Sequence, residues 1–319
     1  MAAMERHRGI MDMLPSCKKS PCSLAIVFLL SLAQAAHAQA PMELTGPDAE
    51  GGPTTRDSGV GYIDSAVPFS QFRLRYDDAF HNNRPTRAEF FYAKGQPPGG
   101  PGLPKPETFV DYQDISSYLE IAADNRMSAF IEAPVRFLNP QINQDATGFA
   151  DMNAGFKYAF FQNPDWIMTG QFRTYIPTGD AHLGLGTRHV SLEPAFLFNH
   201  NLASWLLLEG EFRYWIPVGG TDFEGDVIRY GLGLTFGRRQ ADHFWVTPVT
   251  EVVGWTVLGG KESAGTTIIS AAGDTIVNFK VGVRFGLGDR ADIYTGYGRP
   301  LTGDVWYKDI FRVEFRLFF

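Results

Sequence analysis

Cysteine is missing from all but the first 22 of 319 residues, where Cys17 and Cys22 carry the only thiols. The rest of the chain therefore has no disulfide to staple it. Positive charge is not in excess either: 28 Lys and Arg stand against 35 Asp and Glu, for a net charge of −7, which excludes a nucleic-acid binder held by basic charge. Long apolar runs are almost absent. The one present, Ser23 to Ala36, falls short of a comfortable helical span, which leaves an uncleaved anchor as the lesser reading of it, and no second run of spanning length exists. Hydrolase signatures are missing as well: neither G-x-S-x-G nor H-E-x-x-H occurs, and the seven histidines are scattered. What the chain does have is 44% hydrophobic residues, 26 Phe and 34 Gly, too apolar a composition for a disordered tail.

The apolar run has a meaning of its own. Arg6, Arg8, Lys18 and Lys19 precede it, and Ala36-His37-Ala38 closes it, the three-part pattern of a cleaved secretory signal peptide. Removing residues 1–40 takes away those four basic residues and the acidic Glu5 and Asp12, moving the charge from −7 to −9. The expected organisation is a signal peptide over 1–38, a flexible N-terminal segment or small plug over 39–68, and one domain over 69–319. Gly, Pro, Asp and Thr without apolar periodicity favour the flexible reading of the middle segment.

From residue 69 onward the chain alternates. Phe311, Val313, Phe315, Leu317 and Phe319 interleave with Arg312, Glu314 and Arg316, a period of two that belongs to strands. Similar alternation predicts twelve strands, at 69–77, 112–123, 127–137, 151–161, 166–177, 189–199, 203–217, 226–238, 243–258, 276–287, 291–299 and 309–319. Most have the length that a tilted membrane strand needs. Links between them are alternately short (124–126, 162–165, 200–202, 239–242, 288–290) and long (78–111, 139–150, 178–188, 218–225, 259–275, 300–308). That asymmetry marks an all-β, transmembrane antiparallel up-and-down barrel of about twelve strands, with fourteen as the alternative. A further candidate strand, 87–94, would break the phase and is assigned to the first long loop. A soluble sandwich also alternates, but strand length, strand number and aromatics near strand ends speak against it.

An internal repeat keeps the same phase. Gln171 to Gly179 (QFRTYIPTG) matches Glu211 to Gly219 (EFRYWIPVG) at a displacement of 40 residues, with Pro177 and Pro217 expected to end ladder pairing.

Two further stretches, Gly148-Phe149-Ala150-Asp151 to Gly155-Phe156-Lys157-Tyr158 and Pro177-Thr178-Gly179-Asp180, resemble the G-x-x-D-x-x-x-G-x-K-Y and P-T-G-D signature of an outer-membrane family associated with the MetA pathway of phenol degradation, whose members are described as outer-membrane transporters. The resemblance covers roughly 148–180 and implies a barrel passing small molecules. It carries no catalytic residues and no cofactor. The C-terminal alternation Phe315, Leu317, Phe319 is similar to the signal by which barrel-assembly machinery recognises its clients, which implies that machinery and outer-membrane lipid as partners.

Turning the polar face of each strand inward gives a candidate lumen lining of Arg73, Arg75, Glu120, Glu132, Arg136, Lys157, Arg173, Glu193, Glu209, Glu211, Arg213, Arg229, Glu251, Lys280, Arg284, Arg312, Glu314 and Arg316. Eleven are basic and seven acidic. Two readings stay open: a salt-bridged wall that holds the barrel round, and a positively lined constriction favouring anions or polar aromatics. Tyr118, Phe130, Tyr175, Trp215, Trp245, Trp255 and Tyr294 share the inward phase and are expected mainly as girdle or packing residues. Twelve strands lie between filled and open barrels, so a narrow or partly plugged channel is expected. His182, His189, His200 and His243 fall in or beside turns, where solvation is the expectation. Asp222, Glu224 and Asp226 form an acidic loop that could hold a divalent cation but is expected to be solvated. No catalytic residue, metal or cofactor is assigned. The leading functional expectation is a passive outer-membrane channel for small solutes; a sealed barrel with ligand-binding loops is second and a barrel-embedded lipid hydrolase third.

Overall fold

The computed structural model describes residues 58–83, 102–105, 107–237, 244–264, 267–303 and 305–319. Strands account for nearly all of its regular structure. They are β1 (Gln71–Asn82), β2 (Val110–Ala122), β3 (Met127–Pro140), β4 (Ala146–Phe149), β5 (Met152–Gln162), β6 (Trp166–Ile176), β7 (Val190–Ala203), β8 (Leu206–Val218), β9 (Val227–Phe236), β10 (Phe244–Val257), β11 (Lys261–Ala264), β12 (Thr267–Ser270), β13 (Thr275–Leu287), β14 (Ala291–Pro300) and β15 (Asp309–Phe318).

Each long strand pairs antiparallel with its sequence neighbours, and β1 pairs with β15 as well as with β2, so the sheet closes on itself. The result is a twelve-stave antiparallel barrel. One stave is broken: β4 pairs with the upper half of β3 (Val135↔Phe149) and β5 with its lower half (Met127↔Tyr158). The break falls at Ala150-Asp151, inside the G-x-x-D stretch. β11 and β12 form a separate hairpin within the long loop after β10. Sequence alternation does not reveal β4, β11 or β12, because four residues are too few to establish a period. Stretch 87–94 lies outside the described residues. Pro217 does not end its ladder; it sits within β8 opposite Ser191, whereas β6 stops at Ile176, just before Pro177.

The burial pattern runs opposite to that of a soluble sandwich. On β15, Phe311 and Val313 are 51% and 37% exposed, while Arg312 and Glu314 are 8% and 2% exposed. Leu119, Ile131, Phe156, Phe212, Leu232, Phe279 and Val281 likewise face outward. An apolar exterior over a charged interior is stable only where hydrocarbon replaces water around the barrel, and closure satisfies every stave's backbone without an open edge. No helix among the described residues is long and apolar enough to cross a membrane.

Residues 58–69 fold into the interior from the end that carries the short links. Ser58 and Gly59 lie beside Arg316 and Arg284, Tyr62 to Asp64 make the apex, and Ala66 and Phe69 return to Thr169 and Glu120. Val60, Tyr62, Ile63, Ala66 and Val67 are all buried. The favoured flexible reading therefore does not hold for 58–68; residues 39–57 lie outside the described residues. Periodicity gives no hint of this insertion, since the segment is held chiefly through its backbone.

Candidate functional site

Strand parity decides what faces the lumen. Of the eighteen candidate lining residues, fourteen are buried, and Arg73, Arg75, Arg136 and Arg229 are half-buried. By what they touch they form two overlapping groups, with Arg173, Arg229 and Arg312 in both.

The lower group grips the inserted segment. Glu251 accepts backbone N–H groups from Gly61 (2.9 Å), Tyr62 (2.9 Å) and Ile63 (3.0 Å), and Glu209 accepts from Gly59 (3.1 Å). Glu211 accepts from Asp64 (3.0 Å). Arginines take the carbonyls: Arg284 donates to Gly59 and Val60, Arg312 to Gly61, Arg229 to Tyr62 and Arg316 to Ser58. Asp64 joins the two halves of the internal repeat, accepting ion pairs from Arg173 (2.5 Å) and Arg213 (2.7 Å). Arg213 also meets Glu193 (2.8 Å) and Glu211 (2.7 Å). Elsewhere Lys157 pairs with Glu120 (3.1 Å), Arg73 lies 3.8 Å from Glu314, and Arg284 meets Glu314 (3.0 Å). Small residues make room for the segment: a Cβ on Gly231 would lie 2.6 Å from Ile63, and one on Gly233 2.5 Å from Val60.

The upper group walls a cavity of about 310 Å³ toward the long loops. Its five arginines are each matched to a carboxylate: Arg75 to Glu132 (2.8 Å), Arg136 to Asp114 (2.7 Å), Arg173 to Asp64, Arg229 to Glu211 (2.8 Å) and Arg312 to Asp77 (2.6 Å). Tyr62, Tyr112, Tyr175, Trp215, Trp255 and Tyr307 supply its aromatic surface. A recess of about 30 Å³ lies at the opposite end, bordered by Ser58, Gly59, Trp245, Asp292 and Phe318. The two spaces share no lining residue. The inserted segment contributes to both walls, Ser58 and Gly59 below, Tyr62 and Asp64 above.

Sequence reading missed four acidic groups on the interior: Asp64, Asp77, Asp114 and Asp292. Asp292 is ion-paired to Arg284 (2.6 Å) and Arg316 (2.7 Å). With these four the carboxylates number eleven against eleven basic groups, Asp151 at the cavity border adds a twelfth, and the expected positive excess of the lining disappears. The signal was available for three of them, since Asp77, Asp114 and Asp292 hold the same strand parity as Arg75, Tyr118 and Tyr294. Among the inward aromatics, Tyr175, Trp215 and Trp255 border the large cavity and Trp245 the small one, while Tyr118 stacks on Phe130 at 5.4 Å and Tyr294 meets Tyr62 edge-on at 6.1 Å. The C-terminal Phe315 and Leu317 are half-buried on the outer parity, and Phe319 is exposed just past β15.

The signature residues near the broken stave are braces. Asp151 accepts from Gly179 N (3.0 Å), Thr187 N (2.7 Å) and Thr187 Oγ1 (2.7 Å), and Thr178 Oγ1 donates to Ala150 O (2.8 Å). Together they fold loop 178–189 over the cavity, where Leu185, Gly186 and Thr187 join its wall. His189 is buried, not solvated, with Nδ1 3.5 Å from Glu224. Burial would raise the Glu224 carboxyl, but hydrogen bonds from His189 and Thr221 hold it below its ordinary range. The acidic loop does not converge on a cation: Asp222 pairs with Lys261 (2.6 Å), Glu224 turns to His189, and Asp226 accepts from Tyr214 (2.7 Å). His243 lies outside the described residues.

No known family and no curated protein matches the chain by sequence. Solved structures do match. An outer-membrane channel from Pseudomonas putida F1 superposes with a TM-score of 0.54 at 13% identity, over 82% of this chain and 100% of that one. This chain has the outer-membrane barrel fold. Two others align less well: the NanC porin (TM-score 0.48, 10% identity, 77% of this chain, 99% of that chain) and the translocator domain of the autotransporter NalP from Neisseria meningitidis (0.44, 10%, 93% and 96%).

Proposed function

We propose that this barrel is a passive outer-membrane channel for small polar or anionic aromatic solutes, exported by a cleaved signal peptide and restricted by residues 58–68. The observation that carries the reading is the cavity of about 310 Å³, whose wall combines paired charges with six aromatic rings and whose floor is the apex of the inserted segment. Paired charges keep such a wall wet at little cost, and rings give a solute apolar contact. Resemblance to the phenol-pathway family and the channel fold of the Pseudomonas neighbour support the same assignment. Lipid and the barrel-assembly machinery are its expected partners, the latter through Phe315, Leu317 and Phe319.

Planar-bilayer recording of the refolded mature protein tests this: discrete conductance steps above a no-protein control are expected, and a folded barrel that never conducts would refute it. A second reading, a sealed barrel acting through its loops, draws on the same insertion, which interrupts the lumen in this conformation. Charge reversal at Arg173 and Arg213 separates the two, shifting ion selectivity in a channel and only stability in a sealed barrel. Incubation with phospholipid in detergent tests the hydrolase reading, for which no turnover is expected.

A further inference from the structure

Among the charges that border the large cavity, one has no counterpart. Each of the five arginines has a carboxylate, and Asp151 is satisfied by two backbone N–H groups and a hydroxyl. Lys280 is 3% exposed, yet its ammonium makes neither an ion pair nor a hydrogen bond among the described residues. Its surroundings are aromatic: Nζ lies 3.7 Å from the Tyr62 ring centre, 5.5 Å from Tyr307 and 5.7 Å from Trp255. Glu251, the carboxylate opposite it across the β10–β13 ladder, is committed to the backbone of residues 61–63.

A buried cation without a counter-ion is costly, and ring faces offset only part of that cost. The missing element is one negative charge, delivered from the cavity by something that tolerates aromatic walls. We infer that the cavity is a binding site for a small aromatic monocarboxylate, with its carboxylate on Lys280 Nζ and its ring among Tyr62, Trp255 and Tyr307. At about 310 Å³ the space is at the low end of ligand pockets, suited to a single ring. A neutral wall carrying one unmatched cation selects for single charge, because a second carboxylate would meet arginines already occupied. The site rests on the channel reading for its biological use, but not for its chemistry. Tyr62 belongs to the inserted segment, so an occupied site would also contact the element that floors the cavity.

Isothermal titration of the refolded mature protein in detergent tests the site with three probes: sodium benzoate, benzyl alcohol and sodium acetate. Benzoate is expected to bind saturably, with the neutral alcohol and the ringless acetate each weaker by about tenfold or more, the scale of one charge-assisted hydrogen bond or one aromatic contact. Lys280→Met should weaken benzoate by a similar factor, and Lys280→Arg should retain it. Equal binding of benzoate and benzyl alcohol, equal binding of benzoate and acetate, or no benzoate binding at all would overturn the inference. If Lys280→Met fails to fold, as judged by heat-modifiable gel mobility, the wild-type probe series still decides. Conductance is scored separately: benzoate binding by a silent barrel removes the channel and keeps the site, whereas a conducting barrel indifferent to benzoate removes the site and keeps the channel.

Discussion

At the scale of single residues, charge is placed by parity and then spent on pairing. Glu251 shows how much one carboxylate can hold, with three consecutive N–H groups of the inserted segment and the Tyr294 hydroxyl (3.3 Å) converging on it. Glu251→Ala should loosen the segment and raise the open fraction in single-channel records, while leaving the barrel folded on a heat-modifiability gel. Gly233→Val reaches the same end by bulk, since its side chain would enter the space of Val60. Asp151→Ala removes three hydrogen bonds to a carboxylate and should cost about 1.5–3 kcal/mol, read as a lower urea midpoint and faster proteolysis within loop 178–189. Parity read from the sequence picks out eighteen charged positions that are buried or half-buried in the barrel. It does not show which charges pair, and Asp64 lies off the strands altogether, whereas Asp77, Asp114 and Asp292 fit the same alternation.

At the scale of elements, staves were legible and insertions were not. Strand limits read from alternation fall within a few residues of the observed ones for all twelve staves; the largest differences come where a strand runs on past its apolar pattern, as β1 does to Asn82 and β7 to Ala203. Residues 58–69 left no periodic trace because peptide N–H and C=O groups, common to every sequence, do the binding. The broken β4–β5 stave is equally silent, though its signature residues announce it: Asp151 sits at the break and braces the loop that roofs the cavity. That roof also depends on pH. Glu224 is held below its ordinary range by His189 and Thr221, so its contact is complete above the ordinary value near 4.5 and is lost as pH falls through the lowered one. Amide hydrogen exchange across loop 178–189, corrected for its intrinsic pH dependence, should therefore be faster below that range than at neutral pH, and Glu224→Gln should flatten the difference.

At the scale of the molecule, the fold is an inverted one, apolar outside and charged within, with the cavity arginines each matched to a carboxylate. In the proposed channel such a wall would select only weakly by field, leaving selectivity to local features such as the aromatic cavity and Lys280. The inserted segment lies between the two interior spaces. The most direct measurement is single-channel conductance of the protein without residues 1–38 beside a variant that also lacks residues 58–68, both refolded and inserted into the same bilayer. Small or intermittent steps from the wild type and larger, sustained ones from the deletion are expected; equal conductance from both, or silence from both folded barrels, would contradict a channel closed by its own N-terminal segment.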